Sequence, residues 1–286
     1  MRQIRIGLVQ MQAYLGETWL NLQKMVSFVA EARNQRVDII CFPEMCIQGY
    51  NRPRAGALAE PVPGPSTTFL SQLAREKGLI IIAGMAEKSA TDRPYVTQVV
   101  AFPDRTLGKY RKTHLGKSEQ PYFTPGDDLP VFIRPKASFG IAICWDLHFP
   151  EVTAILSMRG SEIIFAPHAS PAIVTDRRGS WLKYLAARAY DNSVFVAACN
   201  LVGGNGEGQG FCGGAIVLDP RGNVVAEDFS GSEGLLVAEL EPNLINTIRR
   251  QQGKTMRDTF FLKARRPELY GDLVRMDYWE REDHDA

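Results

Sequence analysis

Phe139-Gly140-Ile141-Ala142-Ile143-Cys144-Trp145-Asp146-Leu147-His148-Phe149-Pro150-Glu151 reads as a buried strand that turns abruptly into a helix. The run up to Cys144 is apolar on both faces, as in a strand covered on both sides. Pro150 suits the first turn of a helix, where its missing N–H would be unpaired in any case. In an α/β protein the carboxyl end of such a strand faces the ligand crevice. Cys144 therefore stands where a nucleophile would be held.

Working outward, short apolar and β-branched runs recur at Ile4 to Val9, Val37 to Cys41, Leu79 to Gly84, Val96 to Phe102, Ile163 to Ala166, Val194 to Asn200, Gly214 to Leu218, Asn223 to Glu227 and Gly234 to Leu240. Each has strand length and is bounded by Gly, Pro, Asn or Asp. Helical patterns lie between them. The clearest is Thr18 to Ala32, where Leu22, Val26 and Val29 form one apolar stripe. Others are Ser66 to Lys77, Glu151 to Arg159, Ser180 to Asp191 and Pro242 to Arg250. Alternation of the two kinds predicts an α/β fold, and the strand-rich stretch from Val194 to Leu240 adds hairpins. No linker divides the chain, so residues 1–250 read as one domain. Residues 251–286 are charged but carry Phe260, Phe261, Tyr270, Tyr278 and Trp279, which predicts an extension packed on the domain or on a second subunit.

The 33 basic and 32 acidic residues are scattered without long single-sign blocks. That balance excludes an electrostatic footprint for nucleic acid or an anionic membrane and favours a small-molecule partner. No run approaches the ~18 to 20 apolar residues of a membrane span, and the N-terminal apolar stretch is too short for a signal peptide. A soluble, cytoplasmic protein is expected. The five cysteines, at 41, 46, 144, 199 and 212, include no C-x-x-C pair, so they read as free thiols in a reducing compartment.

Two further ionisable residues sit where Cys144 does, just beyond apolar runs. Glu44 follows the strand Val37 to Cys41, which Pro43 must end because it cannot donate to a central ladder. Taken singly, it reads equally as a carboxylate capping a surface loop. Lys112 lies in Gly108-Lys109-Tyr110-Arg111-Lys112-Thr113-His114-Leu115, which reads as a basic loop after the strand Val96 to Phe102. The four histidines, at 114, 148, 168 and 284, show no metal-binding spacing. His148 and His168 are placed for pocket walls; His114 reads as either a loop-packing or a substrate-facing group. Arg177 and Arg178 offer guanidinium forks for a carboxylate, but a solvated surface pair is the simpler reading. Gly203 to Gly210 lacks a phosphate-loop pattern and predicts a flexible loop near the site. Glu151, in a first helical turn, reads as structural.

Together Phe42-Pro43-Glu44, Tyr110-Arg111-Lys112-Thr113-His114-Leu115 and Cys144-Trp145-Asp146 through Phe149-Pro150-Glu151 resemble the Glu-Lys-Cys triad motifs of the nitrilase superfamily, the carbon-nitrogen hydrolases. The resemblance runs from about Ile4 to Leu240. Glu119, before Tyr122-Phe123-Thr124-Pro125-Gly126, resembles the family's second glutamate, and Arg188 to Asn192 resembles its helix-to-strand junction. The resemblance implies an α-β-β-α sandwich, a homodimer or larger assembly, no metal or organic cofactor, and a catalytic set of Glu44, Lys112, Cys144 and Glu119. Trp145, His114, His148, His168 and Tyr50 are the expected substrate-binding residues.

An amide carbonyl is a poor electrophile and a thiol of pKa near ~8.5 is mostly protonated at neutral pH. Catalysis therefore needs a base beside the sulfur and positive charge beside the oxygen. The resemblance gives these roles to Glu44 and Lys112, in hydrolysis of a small linear amide or N-carbamoyl compound. A nitrilase is the alternative, although nitrilases resemble Cys-Trp-Glu at the nucleophile and this chain has Asp146. A catalytically silent scaffold is a third reading, against which the joint presence of base, cation and thiol argues.

Overall fold

The computed structural model describes residues 1–250 and 255–275. One sheet is built from β1 (Ile4–Gln10), β2 (Ile39–Cys41), β3 (Ile80–Glu87), β4 (Tyr95–Ala101), β5 (Leu107–Arg111) and a late strand, β14 (Gly234–Leu240), in the order β14-β1-β2-β3-β4-β5. The second contains β6 (Val131–Ile133), β7 (Ser138–Ile141), β8 (Ile163–His168), β9 (Phe195–Asn200), β12 (Ala215–Leu218) and β13 (Val224–Asp228), ordered β13-β12-β9-β8-β7-β6. Each sheet has a parallel centre, β1 to β3 in one and β7 to β9 in the other, with antiparallel flanks. A separate hairpin joins β10 (Val202–Gly204) to β11 (Gly210–Cys212).

The helices are α1 (Thr18–Asn34), α2 (Ala55–Leu58), α3 (Pro65–Lys77), α4 (Pro150–Met158), α5 (Arg177–Asn192) and α6 (Pro242–Arg249). α1 and α3 cover the first sheet, and α4 and α5 the second, giving an α-β-β-α sandwich. Alternation along β8 shows how one strand serves two layers. Ile163 and Phe165 join the core between the sheets, whereas Ile164 and Ala166 pack with Trp181 and Leu185 of α5. Phe102, Phe132, Phe139 and Phe165 form a chain of ring contacts that ties the sheets together.

Three local readings change. The α1 stripe runs through Leu22, Met25, Val29 and Ala32, with Val26 at its margin. The basic segment before Lys112 is strand β5, not a loop. Its side chains alternate: Lys109 and Arg111 reach Glu87 at 2.6 and 2.7 Å, while Tyr110 is buried. The glycine-rich segment forms the β10–β11 hairpin, whose turn is held by Asn205 Oδ1 accepting from Glu207 N and Gln209 N.

In the C-terminal extension, Phe261 meets Tyr190 of α5 and Asp258 pairs with Arg221. Tyr278 and Trp279 lie outside the described residues. No helix among the described residues is long and apolar enough to cross a membrane.

Candidate active site

Topology brings four strand ends to one edge. β2 releases Glu44 there, and β7 leads into Cys144. β5 runs antiparallel to β4, which runs antiparallel to β3, so β5 ends on that edge too and delivers Lys112. His168 is the last residue of β8. A cleft of about 610 Å³ opens over them, lined by Glu44, Tyr50, Lys112, Glu119, Cys144, Trp145, His148 and His168 among others.

The Glu44 loop is strapped to its own sheet. Phe42 N donates to Ile82 O, Ile47 N to Gly84 O, and Gln98 Nε2 to Phe42 O. Gly84 is required beneath it, because a Cβ there would lie 2.3 Å from Met45 N and 2.5 Å from Pro43 O. Lys112 Nζ donates to Glu44 Oε1 at 2.8 Å and to Glu119 Oε1 at 2.7 Å. Tyr50 Oη donates to the same Glu119 oxygen at 2.9 Å, and Gly116 N donates to the other. All four side chains are buried, so this charged cluster is shielded from water.

Cys144 adopts φ 45°, a left-handed backbone that non-glycine residues rarely occupy. The turn is pinned by Asp146, whose fully buried carboxylate accepts from Ile143 N at 2.8 Å and Tyr110 Oη at 2.7 Å. Its other oxygen accepts from Thr113 N, Thr113 Oγ1 and His114 N. One carboxylate thus binds the Cys144 turn to the loop that carries Lys112. Sequence reasoning missed this role; the available signal was an acid two residues beyond a strand-end cysteine, with no solvent-facing turn to account for it. The expected strand-to-helix turn holds one intermediate piece, a short 3₁₀ turn over Cys144–His148, anchored to α5 by Arg188 Nε donating to Leu147 O at 3.0 Å.

Burial drives the Glu44 carboxyl up to about 7, against the pull of Lys112 and with a push from Glu119. Burial likewise pushes the Cys144 thiol up to about 12, assisted by the Glu44 charge and opposed by Lys112. Desolvation works against the Lys112 charge, yet Glu44, Cys144 and Glu119 hold it well above the usual lysine range. The cluster therefore rests at neutral pH as an ammonium between two carboxyl groups, beside a neutral thiol. Burial takes His168 down to about 3; its Nδ1 lies 2.8 Å from Ala166 O, which assigns the proton to Nδ1 and leaves Nε2 facing Tyr184 Oη.

His114 does not enter the cleft. It stacks on Phe149 with centroids 3.9 Å apart, and its Nδ1 lies 2.9 Å from Thr113 Oγ1, so the substrate-facing expectation is replaced by a loop-packing position. Arg177, expected on the surface, lines the cleft, whereas Arg178 pairs with Glu227 outside it. Glu151 sits in the first turn of α4. Among the described residues no group of three or more His, Cys, Asp or Glu side chains is arranged to hold a metal ion.

The carbon-nitrogen hydrolase family model matches residues 5–250, across both sheets and every strand end that reaches the cleft. The chain belongs to the carbon-nitrogen hydrolase family. Within that family it is 31% identical to a nitrilase of Pyrococcus abyssi, over 93% of this chain and 99% of that one. It is 30% identical to an (R)-stereoselective amidase of a Pseudomonas species, over 98% and 97%. It is also 30% identical to the omega-amidase of Homo sapiens, over 88% and 93%. The crystal structure of an amidase from Nesterenkonia sp. superposes with a TM-score of 0.80 at 25% identity, covering 95% of this chain and 96% of that one. This carbon-nitrogen hydrolase is thus an enzyme of the amidase and nitrilase superfamily.

Proposed function

We propose that the enzyme cleaves the C–N bond of a small linear amide or N-carbamoyl compound through a thioester on Cys144. The observation that carries this reading is the Lys112 ammonium clasped by Glu44 and Glu119 at the floor of the cleft that holds Cys144. Glu44 takes the thiol proton as the Cys144 sulfur bonds to the carbonyl carbon. A base titrating near 7 is matched to that task at neutral pH. Lys112 and the Trp145 backbone N–H face the oxyanion, and Glu119 with Tyr50 fixes the ammonium. Glu44 then protonates the departing amine or ammonia. Water, giving its proton to Glu44, attacks the thioester, and the acid leaves with the thiol restored.

Asp146 in place of glutamate supports amides over nitriles, and the nitrilase name of the Pyrococcus abyssi relative makes nitriles the arm to test against. Ammonia release from amides, ureido acids and nitriles, with intact mass of the parent and Cys144→Ala after mixing, tests the reading. Acyl mass on the parent alone, with amide or ureido turnover and none by Cys144→Ala, is the expected outcome. Full turnover by Cys144→Ala would overturn it. In the same proposal the enzyme works as a homo-oligomer, supported by exposed Met158 at the end of α4 and exposed Leu269 and Leu273 in the extension.

A further inference from the structure

We infer that the substrate carries a carboxylate and that Arg177 receives it, an assignment that rests on the hydrolase reading of the Cys144 cleft. Arg177 opens α5 and shares the cleft wall with Val174, Tyr184 and His148. Its Nε is sealed from solvent and has no hydrogen-bond partner among the described residues. A guanidinium presents five N–H donors in a planar fork that matches a carboxylate two bonds at a time. What surrounds this one is mainly aromatic: its carbon lies 5.9 Å from the Trp181 ring, and the Tyr184 hydroxyl is beside it.

Among the described residues none of the carboxylates beside it forms an ion pair with Arg177. Asp176 Oδ1 caps α5 by accepting from Gly179 N at 2.8 Å, and Glu227 pairs with Arg178. At the cleft floor, Glu44 and Glu119 are held by Lys112. Charged lining residues are Lys112, Lys117 and Arg177 against Glu44 and Glu119, three cations to two carboxyls, which leaves one positive charge over. His148 and His168 add none near neutral pH, since burial and the neighbouring arginines hold both below the usual histidine range. A half-buried guanidinium with one sealed and unpaired N–H and surplus charge around it, in the wall of the cleft that holds Cys144, selects an anionic group on the same small molecule.

Two carboxylate positions are possible in this class, on the acyl side as in succinamate and glutaramate, or on the amine side as in N-carbamoyl-β-alanine. Each is assayed against its neutral carboxamide analogue for kcat/KM. The expected result is that at least one acid exceeds its neutral analogue tenfold or more. Arg177→Met then cuts that preference at least tenfold, chiefly through KM. Arg178→Met, one residue along and outside the cleft, keeps it. The same pairs are titrated calorimetrically into Cys144→Ala and into Cys144→Ala with Arg177→Met, so that the answer does not depend on turnover. Circular dichroism verifies that each variant is folded.

If no acid is preferred in either turnover or binding, or if the preference survives Arg177→Met, the assignment is overturned. Hydrolysis of neutral amides with no acid preference would sink this assignment and leave the hydrolase reading standing. Binding of an acid through Arg177 by Cys144→Ala, with no ammonia released by the parent, would do the reverse.

Discussion

In the proposed mechanism Glu44 is one buried residue that couples catalysis to stability through its proton. Its folded-state carboxyl titrates at about 7, raised mainly by burial above the ~4.3 of an unfolded chain. The base must be ionised to accept the thiol proton, so kcat/KM should fall below pH about 7 along a single-proton limb. The stability effect has the opposite sign. A raised folded pKa favours the protonated fold at low pH, and that contribution is lost as pH rises through the folded value. Glu44→Gln should therefore abolish turnover yet gain stability relative to the parent between pH 5 and 8, read as a rising difference in Tm. A constant difference across that range would contradict the assignment. The neighbouring residues show what a sequence reveals at this scale. Glu44, Lys112, Cys144 and Glu119 were legible because each lies in a recognisable ordered motif. Arg177 was not, because two adjacent arginines at a helix start point about 100° apart and nothing in their identity says which one turns inward.

At the scale of elements, the turns that present these residues are built by close backbone approach. Gly84 of β3 lies under the Glu44 loop, where an added Cβ would be 2.8 Å from Glu44 C and nearer still to Met45 N. Backbone cannot yield as a flexible side chain can, so Gly84→Ala should shift the loop and cost about 1–3 kcal/mol in chemical denaturation. Turnover should fall at least tenfold, because a base displaced by about 1 Å loses its line to the sulfur. Near-parental activity would show that the loop is not set by this contact. The strands of the parallel centres were readable from continuous apolar runs. β5 was not, because an edge strand with alternating Lys109, Tyr110 and Arg111 carries the composition of a solvated loop, and its register comes from β4. The β10–β11 hairpin was hidden for a related reason: glycines at 203, 206 and 208 suit positive φ in a tight turn as well as they suit flexibility.

For the whole molecule, the end of the sandwich away from the cleft is closed by α6. Arg249 Nε donates to Ser193 O at 3.1 Å and its Nη2 to Ser157 Oγ at 3.2 Å and to Ser161 O, gripping the turns that lead into β8 and β9. Burial lowers its pKa only to about 10, so it stays charged at neutral pH. Arg249→Met would leave two carbonyls without that donor and should lower unfolding free energy by about 2–4 kcal/mol, measured by urea titration. A change below about 0.5 kcal/mol, the scale of ordinary surface substitutions, would refute the clasp. The four-layer architecture was legible from the sequence through its resemblance and its two series of strands. This clasp was not, because it joins residues far apart in the chain with no shared local pattern.

In the proposed mechanism the reacting groups come from opposite halves of the sandwich: carboxyl and ammonium from one sheet, sulfur from the other. Phe102, Phe132, Phe139 and Phe165 are among the side chains that fill the gap between those halves, and none of them lines the cleft. Trimming one of these rings would act as a shim withdrawn from a vice, bringing the jaws to a new gap and moving sulfur relative to carboxylate without touching either. Selection on catalytic speed in this enzyme should thus reach deep into side chains that no reactant ever meets.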